Sequence, residues 1–453
     1  MGDNGDGGST GPTFAALFIF HPAVVDKMQS AAIRQFDQFH SKADAPVPRQ
    51  LDILALEPYF GGIRRNMLET LVHTSRHRWT LLTLPPRRME RRLAAAAHWF
   101  AEQIARRDIG PTDLLFTCDA LNLADLYRLC PAVANQPSVV YFHCNSLPDP
   151  PDPSNPELKQ PLDLTHLNTA TAASEIWFNS RYHARSFMEG VEGLVENHAE
   201  LQSRNPLEDL RAKLAHVPPP VDSGRFVELA AQSGGGFTGR VDRLTPGRLD
   251  VMPDGALDGV LDGVPDGERD PSLVFLETRD ANMELLNAAL ALVHQQRRKM
   301  TLLVSGPVDQ LSNLFPRQVI SETDPVSQVR GLLAAGTFIS AKIAIPFDEN
   351  AVRAMQLGCR LVLPHTGVYP ELLSERLHQQ VLYDMSAESL ASHLSEALYG
   401  LPMQHQKELA SRLESFDPIK ACAVIDDRLD ALVGNYVAAE PRTAQRRSKL
   451  VAR

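Results

Sequence analysis

Short apolar runs alternate with helical patterns twice along this chain, and a Gly- and Asp-rich segment separates the two series. In the first series LDILALEP from Leu51, WTLLTLP from Trp79, DLLFTCD from Asp113, SVVYFH from Ser138 and EIWFNS from Glu175 read as strands. Helical patterns run from Arg65 to Thr74, from Arg88 to Arg107 and over LADLYRL from Leu123. In the second series SLVFLE from Ser272, MTLLVSG from Met300, GTFISA from Gly336 and GCRLVLP from Gly358 read as strands. Helices are expected at Met283–Gln296, Asn350–Leu357 and Glu388–Leu398. Short apolar strands that alternate with helices predict parallel sheets covered by helices on both faces. The chain therefore reads as α/β with two doubly wound, Rossmann-like domains.

The chain has 453 residues, enough for two or three domains. The expected divisions are an accessory or disordered arm at 1–49, a first sheet domain at 50–230, a linker or insertion at 231–271, a second sheet domain at 272–435, and a flexible basic tail at 436–453. The linker carries four Asp-Gly pairs spaced four residues apart, a turn-forming pattern. That spacing matches neither an EF-hand loop nor a nonapeptide calcium repeat, so no metal site is expected. Residues 148–161 hold six prolines and read as an extended surface loop.

Five scattered cysteines without a C-x-x-C pair fit reduced thiols. The apolar run Phe14–Phe20 is too short to span a bilayer and lacks signal-peptide flanks. A cytoplasmic protein without membrane attachment is expected. A formal net charge of −10 argues against nucleic acid coating the whole surface. The charge is unevenly placed. Residues 61–107 contain ten arginines against three acids, whereas 250–284 contain ten acids against two arginines. A basic first domain suits RNA phosphates, although ordinary solvated helix surface accounts for the same count.

Ligands of doubly wound sheets sit at the carboxyl ends of strands. Gly61 and Gly62 follow the first strand and would let backbone amides approach a phosphate. Arg64 and Arg65 come next and could grip it with planar guanidinium groups, or simply form a solvated first helical turn. His143 ends a strand, as a cleft hydrogen-bonding group or a satisfied core histidine. Asn179 and Ser180 end another strand, which suits either a cleft or a helix N-cap.

Four blocks occur in order: LDILALEPYFGG at 51–62, YFHCNSL at 141–147, WFNSRYHARSF at 177–187 and MQLGCRLVLPHTGVYPELL at 355–373. With LNLADL at 121–126, they resemble the tRNA-queuosine alpha-mannosyltransferase family, a branch of the retaining GT-B glycosyltransferases. The resemblance covers roughly residues 51–230 and 272–435. It implies a GT-B fold with a cleft between two domains, the acceptor on the first and a nucleotide-sugar on the second. It also implies transfer of mannose from GDP-mannose (or another nucleotide-sugar) to queuosine in tRNA. No further cofactor and no metal would be needed.

The resemblance carries over residue by residue, with departures. The family commonly has Ser-His-Lys after the glycines, where this chain has Ile63, Arg64 and Arg65. The family's His-Glu-Asn-Gln keeps His143 and Asn145 but has Cys144 and Ser146 in the other places. Asn168 and Asn179 match. In the second half the family uses a spaced pair of glutamates to hold the sugar and the ribose. Counting back from Gly358-Cys359, those positions are Ile345 and Arg353. Asp348 and Glu349 are the carboxylates on that segment, without a partner acid eight residues later, and Glu349 stands as the candidate acid beside His143. Arg279 and Arg353 are the candidate cations for the donor pyrophosphate. Each lost charge-assisted hydrogen bond costs about 1.5–3 kcal/mol, and about 1.4 kcal/mol is tenfold in rate. Three outcomes follow: a transferase with substitute residues, a transferase with a changed donor or acceptor, and a non-catalytic homologue that binds tRNA or nucleotide.

Overall fold

The computed structural model describes residues 49–144, 147, 159–202, 206–232, 270–399, 409 and 412–451. The arm at 1–48, Asn145, Ser146, the proline-rich segment 148–158 and the Asp-Gly segment 233–269 lie outside the described residues.

Two six-stranded sheets form, and every strand pair in both is parallel. The first comprises β1 (Asp52–Glu57), β2 (Arg78–Thr83), β3 (Leu114–Cys118), β4 (Ser138–Phe142), β5 (Glu175–Phe178) and β6 (Leu214–His216), in the order β2-β1-β3-β4-β5-β6. The second comprises β7 (Leu273–Glu277), β8 (Thr301–Ser305), β9 (Arg317–Ile320), β10 (Thr337–Ile339), β11 (Arg360–Pro364) and β12 (Leu382–Tyr383), in the order β12-β11-β10-β7-β8-β9.

The central strands are apolar on both faces because helices cover both. In β1, Leu54 and Leu56 enter one core while Ile53 and Ala55 enter the other. β4 divides the same way, Val140 and Phe142 against Val139 and Tyr141. In β7, Phe275 faces one core and Val274 and Leu276 the other. A two-residue period feeding two cores is the pleat of a fully buried strand.

Of the helices, six position the site: α1 (Gly62–Thr74), α2 (Met89–Arg106), α3 (Leu123–Leu129), α4 (Lys159–Ala172), α5 (Arg181–Asn197) and α6 (Ser223–Gln232). The second sheet contributes α7 (Met283–Gln295), α8 (Pro325–Ala334), α9 (Glu349–Gln356) and α10 (Ala387–Leu398).

The last helix, α11 (Pro418–Val451), crosses back to the first sheet. Cys422, Ile425, Leu429 and Val433 lie on one face at helical spacing and pack into the core that holds Ile53 and Trp177. Asp426 accepts from Ser75 Oγ at 2.6 Å and from the Arg76 amide at 2.9 Å. Arg76 also pairs with Asp427 and Asp430. The sequence groups residues up to 435 with the second sheet, whereas the face from Cys422 to Val433 packs into the first sheet's core and the helix runs on to Val451. The apolar face that makes this contact is short and interrupted by five acids and bases between Lys420 and Asp430, so it reads as surface.

Candidate active site

In a doubly wound sheet the crevice opens where strand order reverses. That point lies between β1 and β3 in the first sheet and between β7 and β10 in the second. A cation–carboxylate pair stands at each, buried in the first sheet and part-buried in the second.

In the first sheet the pair is Arg64, in the first turn of α1 after β1, and Asp119, just beyond β3. Arg64 donates Nη1 and Nη2 to the two carboxylate oxygens at 2.8 and 2.7 Å. The side chains are 4% and 2% exposed. Burial alone would raise the Asp119 pKa. The Arg64 charge and its two hydrogen bonds override it, and hold the carboxyl well below its ordinary range. Arg64 is therefore consumed internally and is not the free phosphate clamp that its sequence position suggests.

Asp119 organises what surrounds it. The His143 amide donates to its Oδ1 at 3.0 Å, and His166 hydrogen-bonds its backbone. Asn179 Nδ2 donates to the His143 carbonyl at 3.0 Å, and Asn179 Oδ1 lies 2.9 Å from His183 Nδ1. His143, His166 and His183 are all buried. Burial lowers the pKa of each, with Arg64 adding to the effect at His143. His183 is pushed down to about 3. The rings are neutral at neutral pH. His143 Nδ1 and His183 Nε2 have no hydrogen-bond partner among the described residues.

The glycine turn lies beside this cluster. Gly62 has φ +53°, the left-handed region that favours glycine. A Cβ on Gly61 would lie 2.6 Å from Pro86 Cγ, so the loop after β2 is closed against it.

In the second sheet the pair is Glu277, at the end of β7, and Lys342, beyond β10, at 2.7 Å. Burial would lower the Lys342 pKa, but Asp348 (3.6 Å away) and Glu277 raise it above its ordinary value. Asp348 caps α9 through the amides of Asn350 and Ala351, and accepts from Tyr369 Oη at 2.8 Å. Asn350 Nδ2 donates to Glu277 at 2.8 Å. The sequence reading did not single out Glu277, Lys342 or Asp348 as a unit, because their pairing needs the β7–β10 adjacency.

The two strand-end surfaces meet. Asn66 on α1 donates to both oxygens of Glu349 on α9, at 3.1 and 3.0 Å. Arg353, four residues along α9, donates to Glu349 at 2.9 Å and lies over the Phe226 ring of α6, 4.8 Å from its centroid. Ser180 caps α5 through the His183 amide and donates to the Pro346 carbonyl at 2.6 Å. Glu371 accepts from the amides of Arg181 and Tyr182, both at 2.9 Å.

Several candidates are placed differently from the sequence reading. Arg353 is buried and paired with Glu349, so neither side chain is free. Ile345 packs against the second sheet's core. Arg279 is exposed and bound to Glu322, and Arg65 is half-exposed and bound to Glu69 at 2.7 Å. Asn168 is exposed on α4, while His166 and Thr169 beside it are buried. These four arginine and asparagine side chains therefore do not join the Asp119 cluster. Asn145, expected next to His143, lies outside the described residues. Asp119, His166 and His183 belong to the cluster but were missed. A signal for His183 existed, four residues after Asn179 and so on the same side of a helical turn. Among the described residues, no group of His, Cys, Asp and Glu is arranged to hold a metal ion, and no helix is long and apolar enough to cross a membrane.

Residues 52–221, which hold every part of the Asp119 cluster, match the model of the tRNA-queuosine alpha-mannosyltransferase N-terminal family. Over that segment the chain is similar to the N-terminal domain of that family. A relative from Drosophila melanogaster, a tRNA-queuosine alpha-mannosyltransferase, is 28% identical over 178 residues, which is 38% of this chain and 46% of the relative. The chain thus spans about half the length of the curated relative that it matches. Among solved structures, the catalytic domain of starch synthase IV from Arabidopsis thaliana, bound to ADP and acarbose, is similar with TM-score 0.56 at 11% identity, covering 86% of this chain and 100% of that one. A UDP-forming alpha,alpha-trehalose-phosphate synthase from Burkholderia vietnamiensis gives TM-score 0.55 at 14% identity, covering 85% and 100%. At such identities the likeness concerns the fold. With two parallel sheets joined at their carboxyl ends, that fold is GT-B, as the sequence reading expected.

Proposed function

We propose that the chain is a retaining glycosyltransferase that moves mannose from GDP-mannose to queuosine in tRNA, in the cytoplasm. The single observation behind this reading is that the family match and the Asp119 cluster occupy the same residues. Asp119, His143, Asn179 and His183 form one hydrogen-bonded network at the strand ends next to the Gly61-Gly62 turn, all within the matched segment. The acceptor sugar lies over this crevice. Through Asn179, the His143 carbonyl and the neutral His183 ring hold the strand ends beneath it in place. The donor lies over the second sheet, at the β7–β10 strand ends where Glu277, Lys342 and Asp348 are held together. The reading calls for no metal. The test is transfer of radiolabelled mannose from GDP-mannose to queuosine-containing tRNA by the purified full chain. Label that appears only on queuosine-containing tRNA, and is lost in His143→Ala, is the expected result. No label with any nucleotide-sugar overturns the reading.

A second reading is favoured by one observation in the other half. Ile345 and Arg353 stand where the family's glutamates are expected, one packed in the core and the other ion-paired to Glu349. A non-catalytic homologue that binds tRNA or nucleotide fits that arrangement. Retained tRNA binding without transfer supports it. Transfer to another acceptor, or from another nucleotide-sugar, supports a transferase of changed specificity.

A further inference from the structure

Arg87, Arg88, Arg91 and Arg92 lie within six residues, with Glu90 as the acid among them. They run from the loop after β2 into the first turn of α2. Arg87, Arg88 and Arg91 are exposed. Other arginines of this domain are neutralised locally: Arg76 by Asp427 and Asp430, Arg78 by Asp52, Arg106 by Glu102. Arg87, Arg88 and Arg91 have no ion-pair partner among the described side chains. Arg92 turns inward, donating to the Pro85 carbonyl at 3.3 Å. Burial and then the Arg87 charge lower its pKa, which shows how closely the cations crowd. The N-terminal end of a helix repels cations. Three exposed arginines without an ion-pair partner among the described side chains leave a positive local field that a phosphate would relieve.

The place of this patch matters as much as its charge. Phe60 donates its amide to the Leu84 carbonyl and Leu84 to the Glu57 carbonyl, each at 2.9 Å. The Pro86 ring seats against Gly61. Arg88 is left-handed at φ 53°. The patch is therefore fixed to the same strand ends that open the candidate acceptor crevice.

We propose that Arg87, Arg88 and Arg91 are the contact surface for the phosphodiester backbone of an RNA whose modified base reaches the neighbouring crevice. This rests on the tRNA-acceptor reading above. The formal charge of the chain is −10, so the chain as a whole does not attract RNA, and a local cluster of cations decides where the RNA lands. Guanidinium groups contact phosphate in a fork geometry that does not read sequence. The patch thus positions the acceptor, while base recognition belongs to the crevice.

The test measures tRNA binding by the full chain as a function of salt concentration. Removing three phosphate contacts lowers the slope of log affinity against log salt by about 2–3, and weakens binding roughly tenfold to a hundredfold near physiological salt. That is the result expected for R87A/R88A/R91A. The lysine triple, R87K/R88K/R91K, keeps most of the slope. Arg106→Ala with Arg107→Ala, at the far end of α2, changes neither slope nor affinity by as much. Hydrogen exchange on the unmutated protein gives the same answer without a substitution, as protection of residues 85–92 on RNA addition. Wild type that binds tRNA while the alanine triple binds equally well, with no protection, overturns the patch and leaves the acceptor reading standing. Wild type that binds no RNA overturns both. Arginine-dependent capture by anionic phospholipid vesicles without RNA binding also overturns the proposal.

Discussion

Asn66 and Glu349 join the two sheets: one amide donates to both oxygens of one carboxylate, at 3.1 and 3.0 Å, across the crevice. Glu349 also holds Arg353 from its own helix at 2.9 Å. The carboxylate that the sequence offers as a substitute acid is thus occupied on both sides. Its local role is to tie α1, α9 and the Arg353 side chain into one unit.

Replacing Arg353 with glutamate tests what that unit does. The substitution restores the residue type expected from the family, but sets a carboxylate one helical turn from Glu349, where Arg353 is now 2.9 Å from it. It also removes the cation from the Phe226 ring. Breaking a buried ion pair costs about 3–5 kcal/mol. Arg353→Glu is expected to lower unfolding free energy by about that amount in urea titrations and not to raise mannose transfer. Wild-type stability together with increased transfer would show that position 353 is open to donor in solution.

Arg64→Met is expected to be among the most damaging single changes in the first domain. It leaves Asp119 buried without its counter-charge, at a cost of about 3–5 kcal/mol. Adding Asp119→Asn should recover part of that loss, because the orphaned charge disappears. A double-mutant cycle in chemical denaturation measures the coupling. Strict additivity of the two changes would deny the pairing.

Much of the fold was legible because the central strands are buried on both faces, and β1, β4 and β7 therefore read as apolar runs. The three strands that the sequence did not reveal are β6, β9 and β12, all at sheet edges and two to four residues long. An edge strand has one unpaired side and needs no continuous apolar run. In the crevice, Gly61, His143 and Asn179 were legible because each ends a strand or opens a helix, a position that topology assigns to ligands. Arg64 was misjudged because its partner, Asp119, is 55 residues away and carries no local mark. The i,i+4 spacing of Glu349 and Arg353 on one helix is the local mark of the pairing that forms.

The glycine turn gives a prediction that separates space from strain. Gly61 has φ −170°, extended backbone that any residue adopts, but an added Cβ meets Pro86 Cγ at 2.6 Å. Gly61→Ala must therefore push the Pro86 loop outward, at about 1–3 kcal/mol. Gly62 has open space around it but a φ of +53°. Gly62→Ala pays about 1–2 kcal/mol for the left-handed backbone, and Gly62→Asn less. Denaturation midpoints for the three variants should show a loss for both alanines, with asparagine at position 62 closest to wild type. Equal losses for alanine and asparagine at 62 would argue against the left-handed turn.

The buried histidines predict how stability depends on pH. In the unfolded chain a histidine titrates near 6.5, whereas His183 in the fold is held down to about 3. Between those values the unfolded state binds the additional proton, so stability is fully present above pH 6.5 and is lost as pH falls towards 3. The slope is about 1.4 kcal/mol per pH unit for each such residue. Burial shifts His143 and His166 in the same direction and adds to the loss. Raised carboxyls such as Glu57 and Glu277 act in the opposite sense, so a difference measurement isolates the imidazole. His183→Gln is expected to be less stable than wild type at pH 7. The deficit should narrow by about 1.4 kcal/mol between pH 6 and pH 5, because glutamine has no proton to take up. Urea unfolding of both proteins at these two pH values checks it. A deficit independent of pH would mean that His183 protonates inside the folded protein as easily as outside it.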